Sequence, residues 1–207
     1  MKENRKALFL LIGIYGFWNL VAGVMGYFMP YIYETVGGLT ATQAKLLQGT
    51  LWLLTVVSTY FVFIKLGDKV NRKVLFGIGA AMGIVAWLIL TFGGMGWTEL
   101  LLFVLLRGTA AGFGAQSFYA LWSSELFHTK YRAKAQGVMF SIARIGVGLF
   151  SLVIALLITT LGFKVAGLIM IAFLIIHLVI GLTMYRKLEG SLLKKSKKNV
   201  MAHNHIV

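Results

Sequence analysis

The sequence has no cysteine, one proline and only six acidic residues among 207. Without cysteine there is no disulfide, no thiolate metal site and no cysteine nucleophile. One proline against 24 glycines suits closely packed helices rather than a barrel of short strands joined by turns. Charged residues make up 13% and apolar residues 59%, and the mean hydropathy is +0.85. Soluble domains carry about one quarter charged residues, and disordered chains have the opposite bias. Both classes are excluded, and a polytopic membrane protein remains.

A spanning helix needs roughly 20 mostly apolar residues. Six stretches qualify: 7–33, 46–64, 74–98, 100–124, 135–163 and 165–185. Two of them hold a charge, Arg107 and Arg144. The first, preceded by Lys2, Arg5 and Lys6, is too long and too interrupted by Asn19 and aromatics to read as a cleaved signal peptide. The expected organisation is a short tail (1–6), a six-helix membrane domain (7–186) and a basic, helix-free tail (187–207).

The net charge of +14 reads as topology before it reads as nucleic-acid binding. Basic residues crowd the first tail, the second–third and fourth–fifth connections and the last tail. The other side has only Lys45 and Lys164. Both termini are therefore expected in the cytoplasm, in a multi-pass protein of the plasma (inner) membrane. Nucleic acid is not an expected partner; the lipid bilayer is. Two triplets of helices, each with a charged connection, are what an inverted repeat of three looks like. Gly79 with Gly83 and Gly108 with Gly112 have small-xxx-small spacing, and Gly114, Gly146 and Gly148 add further points for close packing. Trp97, Tyr31 and Tyr33 lie at span ends, where aromatic side chains anchor in the interface.

All six acids lie at or outside the span ends. A proton-coupled carrier needs a titratable group along its path, and the spans offer only His177, which reads as a packed residue. Arg107 lies within a span, so it either faces the pathway or ties neighbouring helices together. Polar and aromatic side chains gather mid-span: Tyr15, Trp18, Asn19 and Tyr27 in the first helix, Gln116, Tyr119 and Trp122 in the fourth. Amides beside aromatic rings suit a polyhydroxylated ligand, with hydrogen bonds to hydroxyls and C–H faces against rings. At the basic boundary, Asp68, Arg72, Lys73, Glu125, Arg132 and Arg144 are expected to form an ion-pair cluster that holds one conformation closed and parts when helices rock. No metal-ligand cluster, nucleophile–base pair, phosphate loop or dinucleotide fingerprint is present, so neither an enzyme nor a cofactor is expected.

Leu66-Gly67-Asp68-Lys69-Val70-Asn71-Arg72-Lys73 resembles the second–third helix loop of the major facilitator superfamily, Gly-x-x-x-Asp-x-x-Gly-Arg-Arg/Lys. Asp68, Arg72 and Lys73 match. Ile64 stands at the first Gly, and Asn71 at the second, where Asn is the next best residue for φ > 0. Ser124-Glu125-Leu126-Phe127-His128-Thr129-Lys130-Tyr131-Arg132 resembles the Glu-x-Phe-Pro-Thr-x-x-Arg loop of sugar porters and related organic-solute carriers, with His128 in place of Pro. Ser141 to Gly146 and the Arg107-Gly108-x-x-x-Gly112 run resemble the helices on either side. The resemblance implies half of a twelve-helix fold, the C-terminal half. It also implies a cavity place for Asn19, without the family's Gln-Gln pair, and another for Trp122.

The expectation is half of a sugar- or organic-solute-type carrier working by alternating access, with a second six-helix half or a second copy as partner. The alternative is a non-transporting remnant or an accessory membrane subunit.

Overall fold

The structure, a computed structural model, describes residues 2–67, 69–127 and 129–204. Every regular element among them is helical: α1 (Lys2–Tyr27), α2 (Met29–Thr35), α3 (Ala41–Ser58), α4 (Arg72–Leu88), α5 (Trp97–Gly112), α6 (Ala115–Leu126), α7 (Thr129–Leu161) and α8 (Phe163–Asn204). α3 and α4 each continue through a wider-wound stretch, Thr59–Ile64 and Ile89–Gly93. Six spans are long and apolar enough to cross a membrane: Leu8–Tyr27, Ala41–Ile64, Arg72–Gly93, Trp97–Ser124, Tyr131–Leu161 and Phe163–Thr183. This is an integral, multi-pass membrane protein.

Local chemistry sets the helix ends. Thr40 caps α3 with a capping box: its hydroxyl accepts from the Gln43 N–H at 3.3 Å, and the Gln43 side chain accepts from the Thr40 N–H at 2.9 Å. Asn71 caps α4 by accepting from the Lys73 N–H at 2.9 Å. It does so at φ −57, so it is a helix cap and not the left-handed residue that its place in the loop motif suggests.

Three expectations about where helices run are corrected, and one about an interfacial anchor. The first stretch is not one helix to residue 33, because Pro30 cannot donate to the turn before it; α1 ends at Tyr27 and the short α2 follows, with Pro30 in its first turn. The fourth stretch is two helices, because Gly114 takes φ +60 between α5 and α6. Beyond 186 the chain is not helix-free: α8 runs on to Asn204, through Leu, Lys and Met, which are good helix formers. Tyr33, expected as an interfacial anchor, is fully buried, and burial holds its phenol above the ordinary range. Tyr31 and Trp97 are exposed, as anchors would be.

Contacts between helices repeat. α1 packs on α7 and α3 packs on α5; α1 packs on α8 and α4 packs on α5; α4 packs on α8. Exchanging the first three spans for the last three turns each contact of the first two pairs into the other and the α4·α8 contact into itself. That is the pairing an inverted repeat produces. The α7·α8 contact has no comparably close counterpart between α3 and α4.

Glycine enables both repeated contacts. A Cβ on Gly108 would lie 2.7 Å from Leu54 Cβ, and one on Gly112 would run into the Ser58 backbone, so α5 and α3 touch main chain to main chain. On the other side, a Cβ on Gly23 of α1 would run into Val147 of α7. In each case the small residue lies on the first span of its triplet. Gly79 meets Phe113 and the Ala110 carbonyl in the same way. Gly83 and Gly146 make only ordinary contacts, and Gly148 faces open space.

Candidate functional site

The packing leaves a cavity of about 710 Å³ between α1, α3, α5, α6 and α7. Two breaks in regular structure border it. The α5–α6 hinge separates Arg107 and Ala111 from Gln116, Ser117 and Ala120, and all five line the cavity. The Thr59–Ile64 stretch carries Thr59 to its wall. Non-helical backbone at membrane depth is tolerated where it lines a cavity.

Five of the seven residues expected to face a solute lie on this wall: Tyr15, Trp18, Asn19, Tyr27 and Gln116. Their polar groups differ in what they already hold. Thr55 and Thr59 donate to carbonyls of their own helix, Leu51 at 2.9 Å and Thr55 at 2.7 Å. The Asn19 amide, although buried, has no hydrogen-bond partner among the described residues, and neither has that of Gln116. A polar group left unpaired at a cavity wall is free to bind what fills the cavity.

Tyr119 and Trp122 lie behind the wall. Tyr119 stacks on Tyr15 with centroids 4.1 Å apart, so it supports the ring that reaches the cavity. Trp122 is 1% exposed and packs against Phe76 at 5.6 Å and Phe118 at 5.5 Å. Their spacing from Gln116 along the helix carries no sign of this, since all three residues lie on one short helix and depth decides which of them is reached.

Arg107 is 5% exposed and lines the cavity. Its Nε donates to Met25 Sδ at 3.1 Å. His177 lies across a small void from it, with Nδ1 2.8 Å from the Ile14 carbonyl and its ring against Phe76. It is a packed, hydrogen-bonded residue.

The expected charge cluster is divided. Asp68 and the side chain of Glu125 lie outside the described residues. Arg132 donates from Nη2 to the Ser124 carbonyl at 2.7 Å, which closes the α6–α7 connection onto the end of α6. Gln136 braces the same place by donating to Ser123 Oγ at 2.7 Å. Arg72 is half-buried at the start of α4, and Lys73 supplies the backbone N–H held by Asn71. Arg144 is not with them. It lies twelve residues beyond Arg132 on one helix, about 18 Å along the axis, and lines the cavity with its guanidinium over the Phe140 ring at 4.8 Å. Sequence reasoning missed this because the length of α7 allowed its start to be placed further from the membrane. It also missed Trp52 and Ser117 on the cavity wall; no pattern in their own segments marks them.

Six apolar spans with repeat-related contacts, broken helices and a cavity that Asn19, Arg107 and Gln116 help to line define half of a membrane carrier fold. The chain matches the model of the Major Facilitator Superfamily over residues 7–204 and belongs to that superfamily. It is 40% identical over 195 residues to the Minor myo-inositol transporter IolF of Bacillus subtilis (strain 168), covering 94% of this chain and 44% of that protein. A crystal structure of peptide transporter POT in complex with alafosfalin superposes with a TM-score of 0.69 at 15% identity, covering 95% of this chain and 45% of that one. The chain thus spans less than half the length of either. Both are transporters, and the family is not one of enzymes.

Proposed function

We propose that this chain is one six-helix half of a secondary transporter for sugars or similar small polar organic solutes, working by alternating access with a partner half or a second copy of itself. The observation that carries this reading is the cavity: about 710 Å³, with the unpaired Asn19 amide beside the rings of Tyr15 and Trp18. Hydroxyls suit the amides of Asn19 and Gln116, and the C–H faces of a sugar ring suit the aromatic platform. The relative named for myo-inositol transport takes a solute of this chemistry.

The partner follows from exposure. In the spans Ala41–Ile64 and Tyr131–Leu161 only 22% and 17% of the most apolar window is buried, against 39–50% in the other four. These two spans are equivalents in the repeat, and both contribute to the cavity wall. A second half laid against both closes it. Asp68, Arg72, Lys73, Glu125 and Arg132 form the charged boundary that holds one state closed, with the termini on the cytoplasmic side of the plasma membrane; Arg144 belongs to the cavity instead.

Uptake of labelled myo-inositol into proteoliposomes tests this reading. The full chain is reconstituted alone and with the complementary half of the B. subtilis relative. Uptake above protein-free vesicles is expected in at least one of the two, with a drop of tenfold or more for Asn19→Leu and for Asp68→Asn at equal protein content. Absence of uptake in both rejects transport and favours an accessory or non-transporting role. Unchanged uptake in Asp68→Asn rejects the gate alone.

A further inference from the structure

We propose that Arg107 forms an anion subsite in the cavity, and that the solute taken there is a polyhydroxylated monocarboxylate, a sugar acid, in preference to a neutral sugar. This rests on the reading of the cavity as a solute-binding wall. A guanidinium carries five N–H donors and never releases its charge in a protein. At Arg107 one of them is engaged, by the Met25 thioether, which is a weak acceptor. The side chain is 95% buried, since only 5% of it is exposed. A charge in an apolar interior costs several kcal/mol unless something of opposite sign compensates it.

Among the described residues no carboxylate pairs with Arg107. All six acids lie at or outside the span ends. Glu99, on the same helix, is eight residues away, about 12 Å along the axis. Among the described residues, the cavity wall holds Arg107 and Arg144 but no Asp or Glu. The compensating charge therefore comes from outside this chain, and Arg107 lines the cavity where a solute can bring it. A carboxylate fits the guanidinium fork with two parallel hydrogen bonds. One charge suffices, because Arg144 is exposed and already stacked on Phe140. The hydroxyls of the same molecule reach Asn19 and Gln116.

D-glucuronate and D-glucose are a matched pair of probes, differing by a carboxylate in place of a hydroxymethyl group. The purified full chain in lipid nanodiscs is titrated with each, read by the change in intrinsic tryptophan fluorescence, to which Trp18 and Trp52 contribute from the cavity wall. Glucuronate is expected to bind at least tenfold more tightly than glucose. In Arg107→Gln the ratio is expected to fall to about one, and in Arg107→Lys to an intermediate value. Equal binding of the two sugars by the unaltered chain overturns the subsite and leaves the carrier reading standing; Arg107 is then compensated by an acid of the facing half. An Arg107→Gln chain that keeps the tenfold preference overturns the assignment to Arg107. Binding of neither sugar, alone or with the complementary half, overturns both readings.

Discussion

Arg107-Gly108-x-x-x-Gly112 in α5 and Arg144-x-Gly146-x-Gly148 in α7 are written in nearly the same residues and end in opposite environments. In α5 the arginine is buried, and both glycines are places where another helix lies too close for a Cβ. In α7 the arginine is exposed over a phenylalanine ring, Gly146 makes an ordinary contact, and Gly148 faces open space. The close approach that α7 does make, to α1, uses Gly23 on the other helix. The repeat explains the difference. The first span of each triplet carries the glycine, and the second span brings the side chain or backbone that fills the groove. α5 is a first span and α7 a second, so the same residues serve different ends.

The sharpest way to break this comparison is Gly112→Ala against Gly23→Ala. At Gly112 the new methyl group meets the main chain of Ser58, which has no rotamer to change, and the Ser58–Gly108 hydrogen bond clamps the helices at that height. The expected loss is about 3 kcal/mol, the upper end for overpacking, measured by SDS-induced unfolding followed by circular dichroism. At Gly23 the obstacle is one side chain, Val147, and the expected loss is about half as large. Equal and small losses at both sites would show that the helices part easily and that the repeat's contacts are not fixed by glycine.

Much of the fold was legible because a membrane leaves few choices. Six apolar runs became six spans, since unpaired backbone cannot stay in lipid. The breaks were less legible. Pro30 is a visible signal that a long hydrophobic run obscured, while Gly114 is one glycine among several in its run and is set apart by its left-handed backbone, which depends on the packing around it. The cavity was half legible. Tyr15, Trp18 and Asn19 lie within one turn of one helix and so face one way, whereas Tyr119 and Trp122 differ from Gln116 by depth behind a wall that other helices build. Arg144 was placed at the boundary because the sequence shows the length of α7 but not how deep it lies.

A smaller effect sharpens the comparison at the same contact. Ser58 donates to the Gly108 carbonyl at 3.0 Å, bridging α3 and α5 where the glycines let them meet. Interhelical hydrogen bonds in membrane proteins contribute about 0.6 kcal/mol on average. Ser58→Ala should therefore cost about 0.6–1 kcal/mol in the same unfolding assay. The Gly112→Ala penalty should persist in the double variant, because the added methyl still faces the Ser58 backbone. A double variant as stable as Ser58→Ala alone would mean that the side chain, and not the main chain, holds the helices at that distance.

The smallest expected effect is the most informative about what lies outside the chain. Gly148 is exposed with nothing near its Cβ position, so Gly148→Ala removes backbone freedom without a clash. Helix propensity then favours alanine by up to about 1 kcal/mol, and the isolated chain should be unchanged or slightly stabilised. α7 is also one of the two barely buried spans beside the cavity, where a second half would seat. If that half approaches through Gly148, the added methyl lies in the seam and the sign reverses. The variant would then be neutral alone and weaker than the parent in holding the complementary half, read as a loss of co-purification. Neutrality in both settings would make this face of α7 a lipid contact and move the seam to α7 residues nearer Arg144.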